Sequence, residues 1–184
     1  VIIAGKAGND WYNPEPEDDS GYGAIVSNAD KDYIIFACEQ SLKRLKTDCL
    51  DILQLHSHPL EMLERDDPWD ALDTLKQQGK IKHAGWSVQS FQETAQAHIL
   101  DAHKDLLDVI QVRYNILERE AEKVLFPKAL QYGIGVIVRI PLLFGLTTGK
   151  FNRQSKFHED DHRRFNLDAE KLDQYLTEFE KLEP

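Results

Sequence analysis

Short apolar runs of strand length alternate with stretches of helical period along this chain, and no other feature restricts its fold as much. Residues 1–6, 50–56, 82–88, 107–114 and 135–140 read as strands, being aliphatic and β-branched and too short for buried helices. Over residues 30–46, Ile34, Ile35, Cys38, Leu42 and Leu45 recur at helical spacing. Residues 69–78 read as a short helix with Pro68 in its first turn and Gly79 at its end. Residues 90–103 carry Phe91, Ala95, Ile99 and Ala102 on one helical face, and residues 118–132 form a helix stopped by Gly133. Leu172, Tyr175, Leu176, Phe179 and Leu182 make a last amphipathic helix. Two long loops interrupt the alternation. Residues 7–28 hold Pro14, Pro16, Gly21, Gly23 and an acidic run from Glu15 to Asp19. A charged loop with Gly145 and Gly149 runs to about Asn166.

Alternation of this kind implies parallel strands joined by right-handed crossovers. An open doubly wound sheet would often carry a glycine-rich phosphate loop after its first strand. Gly5-Lys6-Ala7-Gly8 is not that loop, and no helix follows it promptly. A barrel places its chemistry at the carboxyl ends of several strands. Lys6, His56, Ser87, Tyr114 and Arg139 all lie at or near such ends. The expected fold is therefore an α/β barrel of the (β/α)8 type. A complete one has eight strands in roughly 250 residues. Five strands in 184 residues make it an incomplete barrel, one partial domain over residues 1–184. The apolar start Val1-Ile2-Ile3, without Met, fits a missing upstream part.

Charge narrows the partners. Asp and Glu number 32 against 22 Lys and Arg, a formal net charge of −10. Such a surface argues against nucleic acid or an anionic membrane as the main partner, while leaving room for a local basic pocket. No apolar run reaches the roughly 18 residues of a membrane-spanning helix, and no signal peptide is visible. The two cysteines, Cys38 and Cys49, read as reduced structural thiols, consistent with a cytoplasmic location.

Each candidate has a plain structural alternative. Lys6 is a solvated lysine at a loop start, or a charge in the barrel mouth that lowers the pKa of a neighbouring acid. His56 and His58 are capping histidines, metal ligands on one face of a strand, or include one that hydrogen-bonds a substrate carbonyl. Ser87 and Gln111 satisfy buried backbone, or offer a hydroxyl and an amide to a planar polar ligand such as a carboxamide. Pro141, Gly145 and Gly149 mark special backbone in the loop after Arg139, where Lys150 is placed to meet a phosphate. The spacing there is not that of a P-loop.

Three ordered motifs then carry a resemblance. Ser41-Leu42-Lys43-Arg44-Leu45-Lys46-Thr47-Asp48 runs into the strand ending Leu55-His56. Leu75 to Ser87 reads LKQQGKIKHAGWS, and Arg139 onward reads RIPLLFGLTTGKF. Together they resemble the aldo-keto reductase family over essentially the whole chain, from that family's third strand to beyond its seventh. The resemblance implies a TIM barrel that reduces aldehydes and ketones with NADPH, through a tetrad of Asp, Tyr, Lys and His. It implies Lys6 and His56 as the tetrad lysine and histidine. It implies Ser87 and Gln111 as the carboxamide holders, and Arg139 at the position where many members stack an aromatic on nicotinamide. It implies Pro141, Leu142, Gly145, Leu146, Gly149 and Lys150 as the pyrophosphate loop, with Arg163 near the adenosine phosphate. The family's Asp and Tyr lie upstream of its third strand, and its last strand downstream of residue 184. Tyr12 and Tyr22 do not fit the Tyr motif, and Val88-Gln89 replaces the Asn common after Ser87.

The expected partners are a small carbonyl substrate and NADP(H), with no nucleic acid and no membrane, and with the oligomeric state open. Two other readings stand beside the reductase. One is a noncatalytic nucleotide-binding module of the same fold, as potassium channel beta subunits exemplify. The other is a metal-dependent hydrolase barrel using His56 and His58. An in-frame Asp and Tyr before Val1 favours the enzyme, and metal analysis tests the hydrolase.

Overall fold

A computed structural model of the chain describes residues 1–13 and 26–182. Pro14, Pro16, Gly21, Tyr22, Gly23 and the acidic run from Glu15 to Asp19 lie outside the described residues. The strands are β1 (Ala4–Ala7), β2 (Leu50–His56), β3 (Ile81–Ser87), β4 (Leu107–Arg113) and β5 (Gly135–Arg139). The helices are α1 (Lys31–Leu45), α2 (Leu60–Leu63), α3 (Asp67–Gln77), α4 (Ile99–His103), α5 (Leu125–Tyr132), α6 (Arg163–Asn166) and α7 (Ala169–Glu180). All strand pairs are parallel, and the sheet order is β1-β2-β3-β4-β5. That order decides the architecture. A doubly wound sheet reverses its winding at a switch point, whereas sequential order winds one way, as a barrel wall does. The fold is α/β, an incomplete (β/α)8 barrel of five strands.

The two faces of the wall differ because side chains alternate along each strand. Leu53, Leu55, Ala84, Trp86, Ile110 and Val112 point outward and are buried in the main core. Helix α1 adds Ile34, Cys38 and Leu42 to this core, one apolar stripe at a spacing of four residues. Helix α3 adds Trp69, Leu72 and Leu75. The Trp69 indole N–H donates to the Leu63 carbonyl at 2.8 Å, and its ring stacks on His103 at 3.9 Å. Burial pushes the Cys38 thiol up to about 11, so this cysteine is an inert core residue. Among the described residues no helix is long and apolar enough to cross a membrane.

Four local expectations change. Val1 and Ile2 are exposed, so the first strand begins at Ala4. Residues 90–98 form turns and only Ile99–His103 is α-helical: Phe91 stands in left-handed backbone at φ 64°, and Gln96 ties the segment to other parts of the chain. The Gln96 side chain accepts from the Gln89 N–H at 3.1 Å and donates to the His58 carbonyl at 3.0 Å. Residues 118–132 split into a 3-10 turn at Glu120–Glu122 and α5, where Pro127 lies in the first turn and has no N–H to lose. Helix α2 follows Pro59, in a stretch that shows no periodicity of its own.

One irregularity sets the inward face. Between β3 and β4 the register shifts, from Ala84 opposite Leu107 to Gly85 opposite Val109. The skipped residue, Asp108, turns its carboxylate onto the Ala84 N–H at 2.9 Å and Lys76 Nζ at 2.7 Å. Gly85 makes this possible: a Cβ there would lie 2.7 Å from Gln54 Cγ and 2.8 Å from Val109 Cγ1. Gly85→Ala is expected to lower stability by about 1–3 kcal/mol, the usual range for overpacking, read as a lower urea midpoint.

Beyond β2 the chain turns sharply, with Ser57 at φ 52°, and drives His58 into the interior at 0% exposure. Gly8, at φ 118°, receives the ring: a Cβ on Gly8 would lie 2.1 Å from His58 Nε2. Neither ring nitrogen has a partner among the described residues. Burial first, then neighbouring His56, pushes the His58 pKa down to about 4. The folded state therefore binds fewer protons than the unfolded chain between pH 6.5 and 4. Stability is full above about pH 6.5 and falls as pH drops toward 4, by on the order of 3 kcal/mol. Urea titrations across this range should show the decline in the wild type and a flatter profile in His58→Leu.

Candidate functional site

The inward face carries polar residues in lines set by strand pairing. Lys6 of β1 lies opposite Gln54 of β2. His56, Ser87 and Gln111 form the next line across β2, β3 and β4, and Arg113 lies opposite Arg139 on β4 and β5. Lys6, His56, Ser87, Gln111 and Arg139 thus gather at the carboxyl pole of one curved parallel sheet. A cleft of about 110 Å³ opens beside Lys6 and His56, with Tyr12, Tyr33 and Arg44 on its far wall. The two tyrosine hydroxyls are engaged elsewhere: Tyr33 donates to the Asn9 carbonyl at 2.7 Å, and Tyr12 accepts from Arg44 at 2.8 Å. A larger hollow of about 610 Å³ is lined by Tyr114, Ile116, Arg119, Val138 and Pro141. Tyr114 and Val138 share the outward phase, so this hollow belongs to the wall's outer side and not to the mouth.

The mouth is electrically unusual. Burial, then the Arg139 charge, lowers the Lys6 pKa. Burial, then Lys6 and Arg139, lowers that of His56, which favours a neutral imidazole. Burial and Arg113 lower that of Arg139, against the pull of Glu93 and Glu118. Ser87 is buried, its Oγ 3.2 Å from that of Ser57. Gln111 is half-buried with no side-chain partner among the described residues. Arg139 donates to Ser90 Oγ, while its buried Nε has no acceptor.

A second polar group braces the mouth. Arg113 makes a two-pronged pair with Glu118, at 2.6 and 2.7 Å, and lies over the rings of Phe91 and Phe144 at 4.9 and 5.5 Å. Tyr175 of α7 donates to Glu118 at 2.7 Å. Burial, then Glu118, pushes the Tyr175 hydroxyl up to about 12. The loop after β5 is held in left-handed backbone at Ile140 (φ 58°), Leu143 (φ 45°) and Phe144 (φ 56°). Such conformations cost on the order of 1–3 kcal/mol each. Leu143 and Leu146 are packed with Leu167, Leu172 and Leu176 in a second core cluster. The Leu146 side chain is thereby occupied, and only its main chain is left to meet a ligand.

The remaining sequence candidates divide. Pro141, Leu142, Gly149 and Lys150 are exposed on the loop, and Lys150 has no ion pair among the described residues. Gly145 sits inside the loop at φ 95°. Arg163 is engaged: it pairs with Asp161, with Nε at 2.9 Å from Oδ2, and lies over Phe151 and Phe157. His56 and His58 do not share a strand face, because β2 ends at His56 and the turn at Ser57 breaks the period of two. Among the described residues no three His, Cys, Asp or Glu side chains are grouped to hold a metal ion.

Sequence reasoning passed over Gln54 and Glu93. Gln54 is 1% exposed with an orphaned Oε1, and Glu93 is 3% exposed with an orphaned Oε2. Gln54 had a signal, since it stands two residues before His56 on the same strand face. Glu93 had none, because its surroundings come from other elements.

Residues 1–183 match the Aldo/keto reductase family. The chain is similar to the aldo-keto reductase YhdN of Bacillus subtilis, 29% identical over all of this chain and 52% of that protein. It is 32% identical to the uncharacterized oxidoreductase YqkF of the same organism, over 82% of this chain and 45% of the relative. Among solved structures it resembles the glycerol dehydrogenase AKR11B4 of Gluconobacter oxydans, with TM-score 0.76 and 28% identity over 100% of this chain and 54% of that one. It also resembles the holo form of aldo-keto reductase AKR11C1 of Bacillus halodurans, with TM-score 0.64 and 27% identity over 88% of this chain and 48% of that one. The chain spans about half the length of the curated relatives it matches. With its winding, its inward polar lines and this match over residues 1–183, the chain belongs to the aldo-keto reductase family.

Proposed function

We propose that the protein reduces an aldehyde or ketone with NADPH, and that this chain carries the cofactor mouth and two of the catalytic side chains. The observation that carries the reading is the convergence of Lys6, His56, Ser87, Gln111 and Arg139 at one pole of the sheet. The donor set suits a nicotinamide. Ser87 and the partnerless amide of Gln111 lie side by side, matching the donor and acceptor of a carboxamide. Arg139 presents a planar guanidinium whose Nε–H lacks an acceptor.

When bound, NADPH supplies the hydride that reaches the carbonyl carbon. His56, kept neutral by burial and by its cationic neighbours, donates an N–H hydrogen bond to the carbonyl oxygen and orients it. Lys6 holds a positive charge at the mouth, which favours negative charge developing on that oxygen and lowers the pKa of a nearby proton donor. Pro141, Leu142, Gly145, Leu146 and Gly149 shape the loop that would hold the diphosphate, with Lys150 supplying charge. Arg163 would face the adenosine end once it exchanges Asp161 for a phosphate.

Lys6 has neither a carboxylate nor a tyrosine hydroxyl bonded to it among the described residues. The isolated chain is expected to bind NADPH weakly and to reduce 4-nitrobenzaldehyde slower than a full-length family member by at least the roughly 10²–10⁴-fold that general acid catalysis contributes. Turnover equal to a full-length enzyme by a monodisperse monomer would overturn the tetrad assignment. Lys150→Ala should weaken NADPH binding about tenfold, as loss of a charge-assisted hydrogen bond does. Fluorescence titration checks this, and an unchanged affinity removes Lys150 from the site.

A further inference from the structure

Among the described residues, two basic side chains at the mouth are met by no hydrogen-bonded carboxylate. Neither Lys6 nor Arg139 forms an ion pair among the described residues. The groups that face them can be named. From β2, His56 is neutral. From the turn after β3, Ser90 accepts from Arg139, and Glu93 attracts it without a hydrogen bond. From β4, Arg113 and its partner Glu118 offset each other. Among the described residues these groups leave Arg139 with no hydrogen-bonded carboxylate, in a half-buried concavity of a chain whose net charge is −10.

The two redox forms of a nicotinamide differ by one unit of charge. The ring is a cation when oxidised and uncharged when reduced. We propose that Arg139 makes this mouth discriminate between them, favouring the reduced, uncharged ring over the oxidised cation. The inference rests on the reading above, that Ser87 and Gln111 would hold the ring's carboxamide; Gln111 lies opposite Ile137 of β5, two residues before Arg139. An aromatic side chain at the same place would attract the oxidised ring by its π face, and a guanidinium repels it. Loss of hydride changes the ring from neutral to cationic next to Arg139, so the site favours release of the oxidised product. A like charge facing the oxidised ring in a partly buried site would give a discrimination of about tenfold.

The experiment is calorimetric titration of residues 1–184 with NADPH and with NADP+, in the wild type, Arg139→Gln and Arg139→Lys, with circular dichroism to show that each is folded. The wild type should bind NADPH more tightly than NADP+. In Arg139→Gln the ratio of the two dissociation constants should shrink about tenfold, chiefly through tighter NADP+ binding. Arg139→Lys, which keeps the charge, should keep the preference. A purely structural Arg139 would weaken both forms by one factor and leave the ratio alone, and that result overturns the proposal. So does equal wild-type affinity for the two forms, which leaves the cofactor site standing. Wild-type binding of neither form overturns the cofactor reading and the bias together. Should Arg139→Gln not fold, the wild-type ratio and its persistence in Arg139→Lys decide.

Discussion

Everything at the mouth depends on the phase of one hydrogen-bonded ladder, that between β3 and β4. If the pairing of Ala84 with Leu107 continued unshifted, Ser87 would stand opposite Ile110, which points into the outer core. The one-residue shift at Ala84 and Gly85 puts Ser87 opposite Gln111 instead. A slip of one residue exchanges every inward side chain for an outward one, so the bulge and the polar line are one feature. Asp108, left over by the shift, pays for its place by bonding the Ala84 N–H and Lys76. Gly85 is the only kind of residue that fits between Gln54 and Val109 at that point.

Much of this architecture is legible in the sequence itself. The bounds of β2, residues 50–56, follow from a run that is aliphatic, short and ended by polar histidine. The winding sense followed from the strict alternation of strands with helices. What escaped the sequence was decided by distant partners. Phe91, Ala95 and Ile99 have helical spacing, but Gln96 reaches back to Gln89 and across to His58, and turns form where periodicity implied a helix. Phe91 itself sits at φ 64°, its ring against Arg113. The orphaned atoms of Gln54 and Glu93 are properties of the assembled mouth, and a linear reading has no access to them.

Strain and charge at the mouth are balanced by the same few contacts. Three non-glycine residues after β5 are held in left-handed backbone, which no local preference supports. The compensation lies in packing and pairing. Leu143 and Leu146 are fully buried against α7, and Arg113, clamped by Glu118, presses on Phe144 from below. Tyr175 joins α7 to the same carboxylate. The loop after β5 is thereby tied to the strand that presents Gln111.

The chain's acidity and its cationic mouth are two sides of one design. A net charge of −10 spread over the surface would repel an anionic cofactor, and screening weakens that repulsion beyond about 8–10 Å. Inside the mouth the charges are close and half-buried, where screening fails and a single guanidinium outweighs many distant carboxylates. The inward phase of the strands gathers Lys6, Gln54, His56, Gln111, Arg113 and Arg139, and places no Asp or Glu at their carboxyl pole. Among the described residues the acids that act on Arg139, Glu93 and Glu118, come from loops, and Glu118 is committed to Arg113. Attraction for an anion is therefore local to the site, set by strand phase and not by the composition of the chain.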